Sequence, residues 1–201
     1  MPLNDFITLV GIMMAAGWTP GPNNALLASS GATFGYAKTV PLILGIAIGF
    51  PLMMFVVSMG LGEVFQQLPI LHEVLRWVGA ALLIWIAWKI AMSGVPGQKG
   101  VRRKPFTFLQ AAAFQWVNPK GWVMCISVTS QFITGDNTLL EAGLCTLATV
   151  FAASSSANAW AYFGHSMQGF LASPRRALTF NLVMAAIIIL GVFLLITGDI
   201  I

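Results

Sequence analysis

Long apolar stretches alternate with short polar connections along this chain, and six of the stretches are long enough to cross a bilayer, which takes about 20 helical residues. The first runs from about Asn4 to Phe34 and is interrupted at Thr19-Pro20-Gly21-Pro22. The second, Val40 to Gly62, holds no charge, and the third covers about Ile70 to Met92, with Arg76 and Lys89 near its ends. Both of these long side chains can snorkel to the interface. The fourth runs from Phe106 to Ile133 with an interruption at Asn118-Pro119-Lys120-Gly121. The fifth spans roughly Leu140 to Phe163 and the sixth Leu178 to Thr197. The pattern predicts an all-α integral membrane protein of six transmembrane helices, with the first and fourth helices broken.

Composition agrees with that reading. Of 201 residues, 58% are hydrophobic and 8% charged, whereas soluble domains carry about 25% charged residues. This excludes a disordered chain, a disulfide scaffold and a membrane anchor bearing a sizeable soluble enzyme domain. The net charge of +4 does not mark a nucleic-acid partner, because the basic residues sit in short connections between apolar stretches. Lys38, Lys89, Lys99, Arg102, Arg103, Lys104, Arg175 and Arg176 fall on one side of the expected bundle. Asp5, Glu63, Glu73, Asp136, Glu141 and Asp199 fall on the other, with Arg76. By the positive-inside rule the basic side is cytoplasmic, so both termini face the periplasm. No Lys or Arg precedes the first apolar run, which reads as a retained helix rather than a signal peptide. The basic run from Gln98 to Lys104 reads as a topology determinant and linker, with an anionic-lipid site as the alternative.

The chain divides into a first three-helix repeat, 1–92, a cytoplasmic basic linker, 93–105, and a second three-helix repeat, 106–201. Three helices are an odd number, so the second repeat lies inverted relative to the first. Each begins with a broken helix, and paired breaks in inverted halves point to a transporter's binding region. Pro suits the first position of a helix behind an N-cap; Asn118-Pro119 fits that description, as do Thr19-Pro20 and Gly21-Pro22, so each break reads as the start of a half-helix. Their first N–H groups lack intrahelical partners, and a bound carboxylate would satisfy them at the positive end of the helix dipole. The alternative is a pair of packing kinks. Candidate substrate-binding residues are Pro20, Gly21, Pro22, Asn23, Asn24, Gln115, Asn118, Lys120 and Asn158.

Lys120 is the one charge deep in an apolar stretch, and such residues tend to face a cavity or partner. Gln115 and Asn118, three apart, are expected on one helix face. In the fifth stretch Ser155, Asn158, Tyr162 and His165 form a helical stripe that lines a hydrophilic path or bonds to neighbouring helices. Lys120, Tyr162 and His165 are the candidates for proton coupling. Gly45-x3-Gly49 reads as a close helix contact, the tryptophans as interface anchors or packing, and His72 as a solvated residue of a connection. Cys125 and Cys145 read as small packing residues, and no spacing suggests a metal or other cofactor.

The stretch Trp18-Thr19-Pro20-Gly21-Pro22-Asn23-Asn24, with Ser29, Gly31, Gly35 and Gly45, resembles the signature of the lysine/threonine exporter family of bacterial amino-acid exporters. Gly79-Ala80-Ala81-x3-Trp85-x2-Trp88-Lys89, Gln115-x2-Asn118-x-Lys120 and Asn158-x-Trp160-x3-Gly164-His165 continue the likeness. Together they look closest to the cysteine and O-acetylserine exporter branch, although Pro119 departs from the branch pattern. The resemblance implies a secondary active transporter of the bacterial inner membrane. It would export small amino acids such as cysteine, O-acetylserine or other neutral ones, driven by the proton gradient and working by alternating access around a midplane site. Its partners would be the amino acid, protons and the bilayer, with a homo-oligomer left open. The rival readings are a membrane thiol-redox carrier, which needs paired reactive cysteines, and a metal-ion exporter, for which the ligand set is poor. A hydrolytic enzyme lacks any visible constellation.

Overall fold

The structure, a computed structural model, describes residues 1–61, 69–95, 104–135 and 137–197, less the side chains of 69, 71, 72 and 195. Glu63, Lys99, Arg102, Arg103, Asp136, Asp199, most of the expected linker and the His72 side chain lie outside that description. The described residues are all-helical, with eight α-helices. These are α1 (Leu3–Trp18), α2 (Pro22–Phe34), α3 (Tyr36–Val56), α4 (Pro69–Ala91), α5 (Phe108–Gln115), α6 (Pro119–Phe132), α7 (Thr138–Ser166) and α8 (Pro174–Thr197). A π-helical turn, Val57–Leu61, prolongs α3, and Gly60 takes φ 113° within it.

Four segments are long and apolar enough to cross a membrane: Tyr36–Leu61, Glu73–Ala91, Thr138–Ser166 and Pro174–Leu194. The chain is therefore a multi-pass membrane protein. The first and fourth expected spans are instead each resolved into two shorter helices, α1 with α2 and α5 with α6. Local sequence explains the ends. Pro22 occupies the first turn of α2 behind Gly21, and Pro119 that of α6 behind Asn118. The second break thus falls at Trp116–Asn118, before the proline, and not across Asn118–Gly121. Helix α5 starts on a capping box: Gln110 N–H donates to Thr107 Oγ1 while Gln110 Oε1 accepts from Thr107 N–H.

Side-chain ties fix which helix ends lie together. Gln168, just past α7, donates to the Ala32 carbonyl near the end of α2 (3.1 Å). Asn181 of α8 donates to the Ser93 carbonyl just past α4 (3.2 Å). A short 3-10 turn, Phe170–Ala172, links α7 to α8. One end of the bundle therefore gathers Lys38, Lys89, Arg175 and Arg176. At the other end Arg76 of α4 donates to the Ile196 carbonyl of α8. Asp5 and Glu141 there line one cavity of about 480 Å³ with Met1, Gln131 and Asn137.

Two apolar cores build the interior. One joins Leu27, Leu42, Ile46, Leu83, Ile86, Ala157, Ala161 and Ile188 across α2, α3, α4, α7 and α8. The other joins Leu9, Met13, Phe50, Met53, Trp122, Cys125, Val128, Cys145, Ala148 and Ala152 across α1, α3, α6 and α7. Small residues draw the helices together. A Cβ on Gly164 of α7 would stand 2.0 Å from the Ala28 carbonyl oxygen of α2, and one on Gly31 2.1 Å from the Ala161 carbonyl oxygen. Gly45 and Gly49 of α3 meet Ala111 and Ala112 of α5 in the same way, which makes Gly45-x3-Gly49 a helix-contact motif.

Candidate functional site

The two breaks meet. Their backbone groups need partners, because hydrocarbon offers none. In the first break the Gly17 carbonyl accepts from Asn24 Nδ2 (3.1 Å) and Ser156 Oγ (2.8 Å). The Thr19 carbonyl accepts from Asn24 Nδ2 (2.9 Å) and from Lys120 Nζ (2.7 Å). Lys120, in the first turn of α6, therefore crosses from the second break to the first, over Gly21. A Cβ on Gly21 would come within 3.1 Å of Lys120 Cδ, so the glycine leaves room for the lysine stem. In the second break the Trp116 carbonyl accepts from the indole of Trp122 (2.8 Å), and the two rings pack edge to face at 6.2 Å.

A second cross-link joins α2 to α5. Asn23 Nδ2 donates to Gln115 Oε1 (2.8 Å), and Gln115 Nε2 donates back to Asn23 Oδ1 (3.3 Å) and to the Ala111 carbonyl (2.9 Å). Gln115 is fully buried, so an unpartnered amide there would cost about 1–3 kcal/mol. The reciprocal pair removes that cost and ties the halves of the chain together.

Between these links lies a cavity of about 40 Å³, room for about two or three waters. Its polar wall is Gly17, Gly21, Asn23, Asn24, Asn118, Lys120, Gly121 and Ser156; its apolar wall includes Leu27, Ile46, Phe50, Met124, Ala152, Ala153 and Ala157. The cavity sits at the seam of the two cores, taking Leu27, Ile46 and Ala157 from one and Phe50, Ala152 and Ala153 from the other. The N-terminus of α2 borders it. Pro22 has no N–H, and those of Asn23 and Asn24 precede the first intrahelical bond, Ala25 N–H to the Gly21 carbonyl (2.9 Å).

The expected site residues therefore divide. Gly21, Asn23, Asn24, Asn118 and Lys120 line the cavity, and Gln115 holds Asn23 beside it. Gly21, not Thr19, is the N-cap of α2, with Pro22 at its first position, while Pro20 lies in the break. Asn118 stands at the N-cap position of α6 but its side chain makes no capping bond. Gln115 closes α5 and Asn118 precedes α6, so the break separates the two and they do not share one continuous helix face. Asn158, Tyr162 and His165 are not brought to the cavity. They are exposed on the outer face of α7, where Asn158 donates to the Ser154 carbonyl and accepts from Tyr36, and His165 pairs with Gln168. The polar α7 residue that reaches the cavity is Ser156, one position from the polar stripe. Its signal was its place among Ala152, Ala153 and Ala157, on the small-residue face. Glu141, one of the acids expected on the side opposite the basic cluster, is buried, accepting from Thr134 N–H, Thr134 Oγ1 and Gly135 N–H. Among the described residues no three His, Cys, Asp or Glu side chains gather as a metal site would require.

A multi-pass helical bundle with two helix breaks facing one cavity of mixed polar and apolar lining has the build of a membrane protein that handles a small polar solute. The chain belongs to the LysE type translocator family, which matches it over residues 14–198. It is 31% identical over 176 residues to the cysteine/O-acetylserine efflux protein of Escherichia coli O157:H7, covering 85% of this chain and 87% of that one. It is 29% identical over 191 residues to the protein of that name from Shigella flexneri serotype 5b (strain 8401), covering 89% and 94%. No solved structure matches it.

Proposed function

We propose that this protein exports small neutral amino acids, of the cysteine and O-acetylserine kind, from the cytoplasm across the bacterial inner membrane. The observation that carries the reading is the convergence of both helix breaks on one polar cavity in a chain of the translocator family. The Asn23 and Asn24 N–H groups and the Lys120 ammonium offer donors and positive charge to a carboxylate. The apolar wall of Leu27, Phe50 and Met124 suits a short uncharged side chain.

Six spans in two inverted repeats, 1–92 and 106–201, joined by 93–105, accommodate the eight helices if α1 with α2, and α5 with α6, each count as one broken span. The end carrying Lys38, Lys89, Arg175 and Arg176 is then cytoplasmic and both termini are periplasmic. Transport is by alternating access. At about 40 Å³ the cavity is too small for an amino acid, so this conformation is contracted and substrate must part the two cores along their seam. The outward route runs between α1, α6 and α7, from the cavity to the larger one beside Asp5 and Glu141. About 18 Å of α1 separates Gly17 from Asp5, and Leu9, Met13, Cys125, Val128 and Cys145 plug that interval.

Export is secondary active and coupled to protons. Lys120 is the titratable side chain in the cavity wall, and it carries the coupling there; Tyr162 and His165 lie on the outer face. The test is counterflow in proteoliposomes with labelled cysteine, O-acetylserine, threonine, homoserine, leucine and lysine. The small neutral compounds exchange and lysine does not; exchange of none of them sinks the reading. An imposed pH gradient drives uptake into inside-out vesicles, and indifference to that gradient removes the proton from the mechanism.

A further inference from the structure

Glycine is the poorest residue for a helix interior after proline, so a helical glycine calls for a reason. Gly31, Gly45, Gly49, Gly79 and Gly164 have one in packing: a Cβ on any of them would stand between 2.0 and 2.7 Å from a neighbouring segment. Gly17, in the last turn of α1, has no such reason. Its φ is not positive. A Cβ there would meet only ordinary contacts, the nearest being Ala152 Cβ of α7 at 3.5 Å. Yet Gly17 and Ala152 both line the cavity between the breaks. What an alanine at position 17 would take is neither backbone freedom nor a helix contact, but space at the cavity wall.

That space is scarce. The cavity of about 40 Å³ has room for about two or three waters, and a methyl group is about as bulky as one of them. Nor can the backbone at Gly17 drift aside, because its carbonyl is held by Asn24 Nδ2 and Ser156 Oγ. Gly121 would also accept a Cβ, but among Phe50, the Gln115 carbonyl and Met53, and the last two residues lie outside the cavity wall. We infer that Gly17 is a specificity-determining residue: with Ala152 it sets the longest substrate side chain that the site accepts. Its bare Cα leaves room for side chains that run several atoms past Cβ, as that of O-acetylserine does. Helix α1 and Ala152 belong to the same apolar core, so this wall keeps its shape when the two cores part around a substrate.

This inference rests on the amino-acid reading above, and selectivity separates the two. The experiment is counterflow of L-cysteine and of O-acetyl-L-serine in proteoliposomes, read as the ratio of the longer compound to the shorter. Gly17→Ala lowers that ratio by about 10-fold or more, since a misfit of one methylene is worth about 10- to 200-fold. Ala152→Gly removes a methyl from the facing wall and moves the ratio the other way. Gly11→Ala, on the same helix with nothing within 4 Å of its Cβ and away from the cavity, keeps the wild-type ratio. In detergent the Tm of Gly17→Ala is no lower than that of the wild type, because alanine favours the helix and meets no clash. A ratio that does not move in these opposite directions, an equal loss of both compounds in folded Gly17→Ala, or a lowered Tm for that variant overturns the inference and leaves the exporter reading standing. Wild-type protein that exchanges neither compound overturns both.

Discussion

The close approach of α2 and α7 gives the sharpest mechanical prediction. Gly164 faces the Ala28 backbone so closely that an added Cβ would lie 2.0 Å from its carbonyl oxygen, where ordinary contact begins at 3.4 Å. Gly164→Ala therefore drives the helices apart by about 1.4 Å, and the obstacle is backbone, which cannot swing away as a side chain would. Overpacking a close contact costs about 1–3 kcal/mol, and a rigid carbonyl puts this case at the upper end. Alanine also gains about 1 kcal/mol over glycine in a helix, so the right control is Gly143→Ala, on the same helix with nothing within 4 Å of the added Cβ. That variant keeps the propensity gain and lacks the clash. For a chain of this size 1 kcal/mol moves Tm by about 2–4 °C, so the two variants should differ by about 6–12 °C in thermal unfolding in detergent. Efflux by Gly164→Ala should fall as well, because α2 and α7 supply Asn24 and Ser156 to one wall of the cavity. A Gly164→Ala protein within about 2 °C of the Gly143→Ala control would refute the packing argument.

The reciprocal amides predict non-additivity: Asn23→Leu and Gln115→Leu should each cost about 1–3 kcal/mol by stranding a partner, and the double variant less than their sum. Equal and additive losses in chemical denaturation would mean the pair does not couple. Lys120→Met should abolish counterflow while leaving the protein folded, since among the described residues its ammonium bonds only the Thr19 carbonyl; full exchange by that variant would remove Lys120 from the site. Replacing Cys125 and Cys145 together by Ala should preserve efflux, because both are wholly buried packing residues, and loss of all activity in a folded double variant would favour thiol chemistry. The same cysteines report the outward route: a membrane-impermeant thiol reagent should label them from the periplasmic side faster when substrate is cycling, and labelling that ignores substrate would place the route elsewhere.

Much of the frame can be read from the chain because lipid punishes ambiguity. Lys120 apart, charge is kept to the ends of the spans, so Lys38, Lys89, Arg175 and Arg176 mark one end of the bundle and Asp5, Glu73 and Glu141 the other. Proline removes a donor from the helix ladder, and both interruptions fall beside prolines, Pro20–Pro22 and Pro119, although α3 runs on through Pro41 and Pro51. What local pattern cannot give is the exact register. Trp116 and Val117 leave the helix before the proline arrives, because the Trp122 indole is placed to take the Trp116 carbonyl, and that partnership spans a full turn and more of chain. Nor does local pattern separate the roles of the amides. Asn23, Asn24, Gln115 and Asn118 look alike in sequence, and only the crossing of the breaks pairs Asn23 with Gln115, engages Asn24 and leaves Asn118 alone.

Helix α7 shows why polarity misleads where size does not. Of its most polar stripe, Ser155 bonds Met14 and Trp18 of α1 while Asn158, Tyr162 and His165 are exposed, and the polar side chain that reaches the cavity is Ser156. In water a polar stripe marks the exposed face because solvent rewards it. In a membrane bundle the interior face is the one that lets helices approach, and approach is limited by side-chain volume. Cys145, Ala148, Ala152, Ala153, Ala157, Ala161 and Gly164 form that face on α7, all buried, against α1, α2 and α3. Asn158, Tyr162 and His165 lie toward the end that also carries Arg175 and Arg176, where water and headgroups can meet them without a cavity. A polar residue therefore bears on the site when it interrupts a small-residue face, as Ser156 and Asn24 do, rather than when it joins a polar one. The same rule ranks the remaining candidates: Ser29 and Ser30, buried between the α7-contacting Ala28 and Gly31 with Ser30 bonded to Thr39 of α3, are the next positions to substitute.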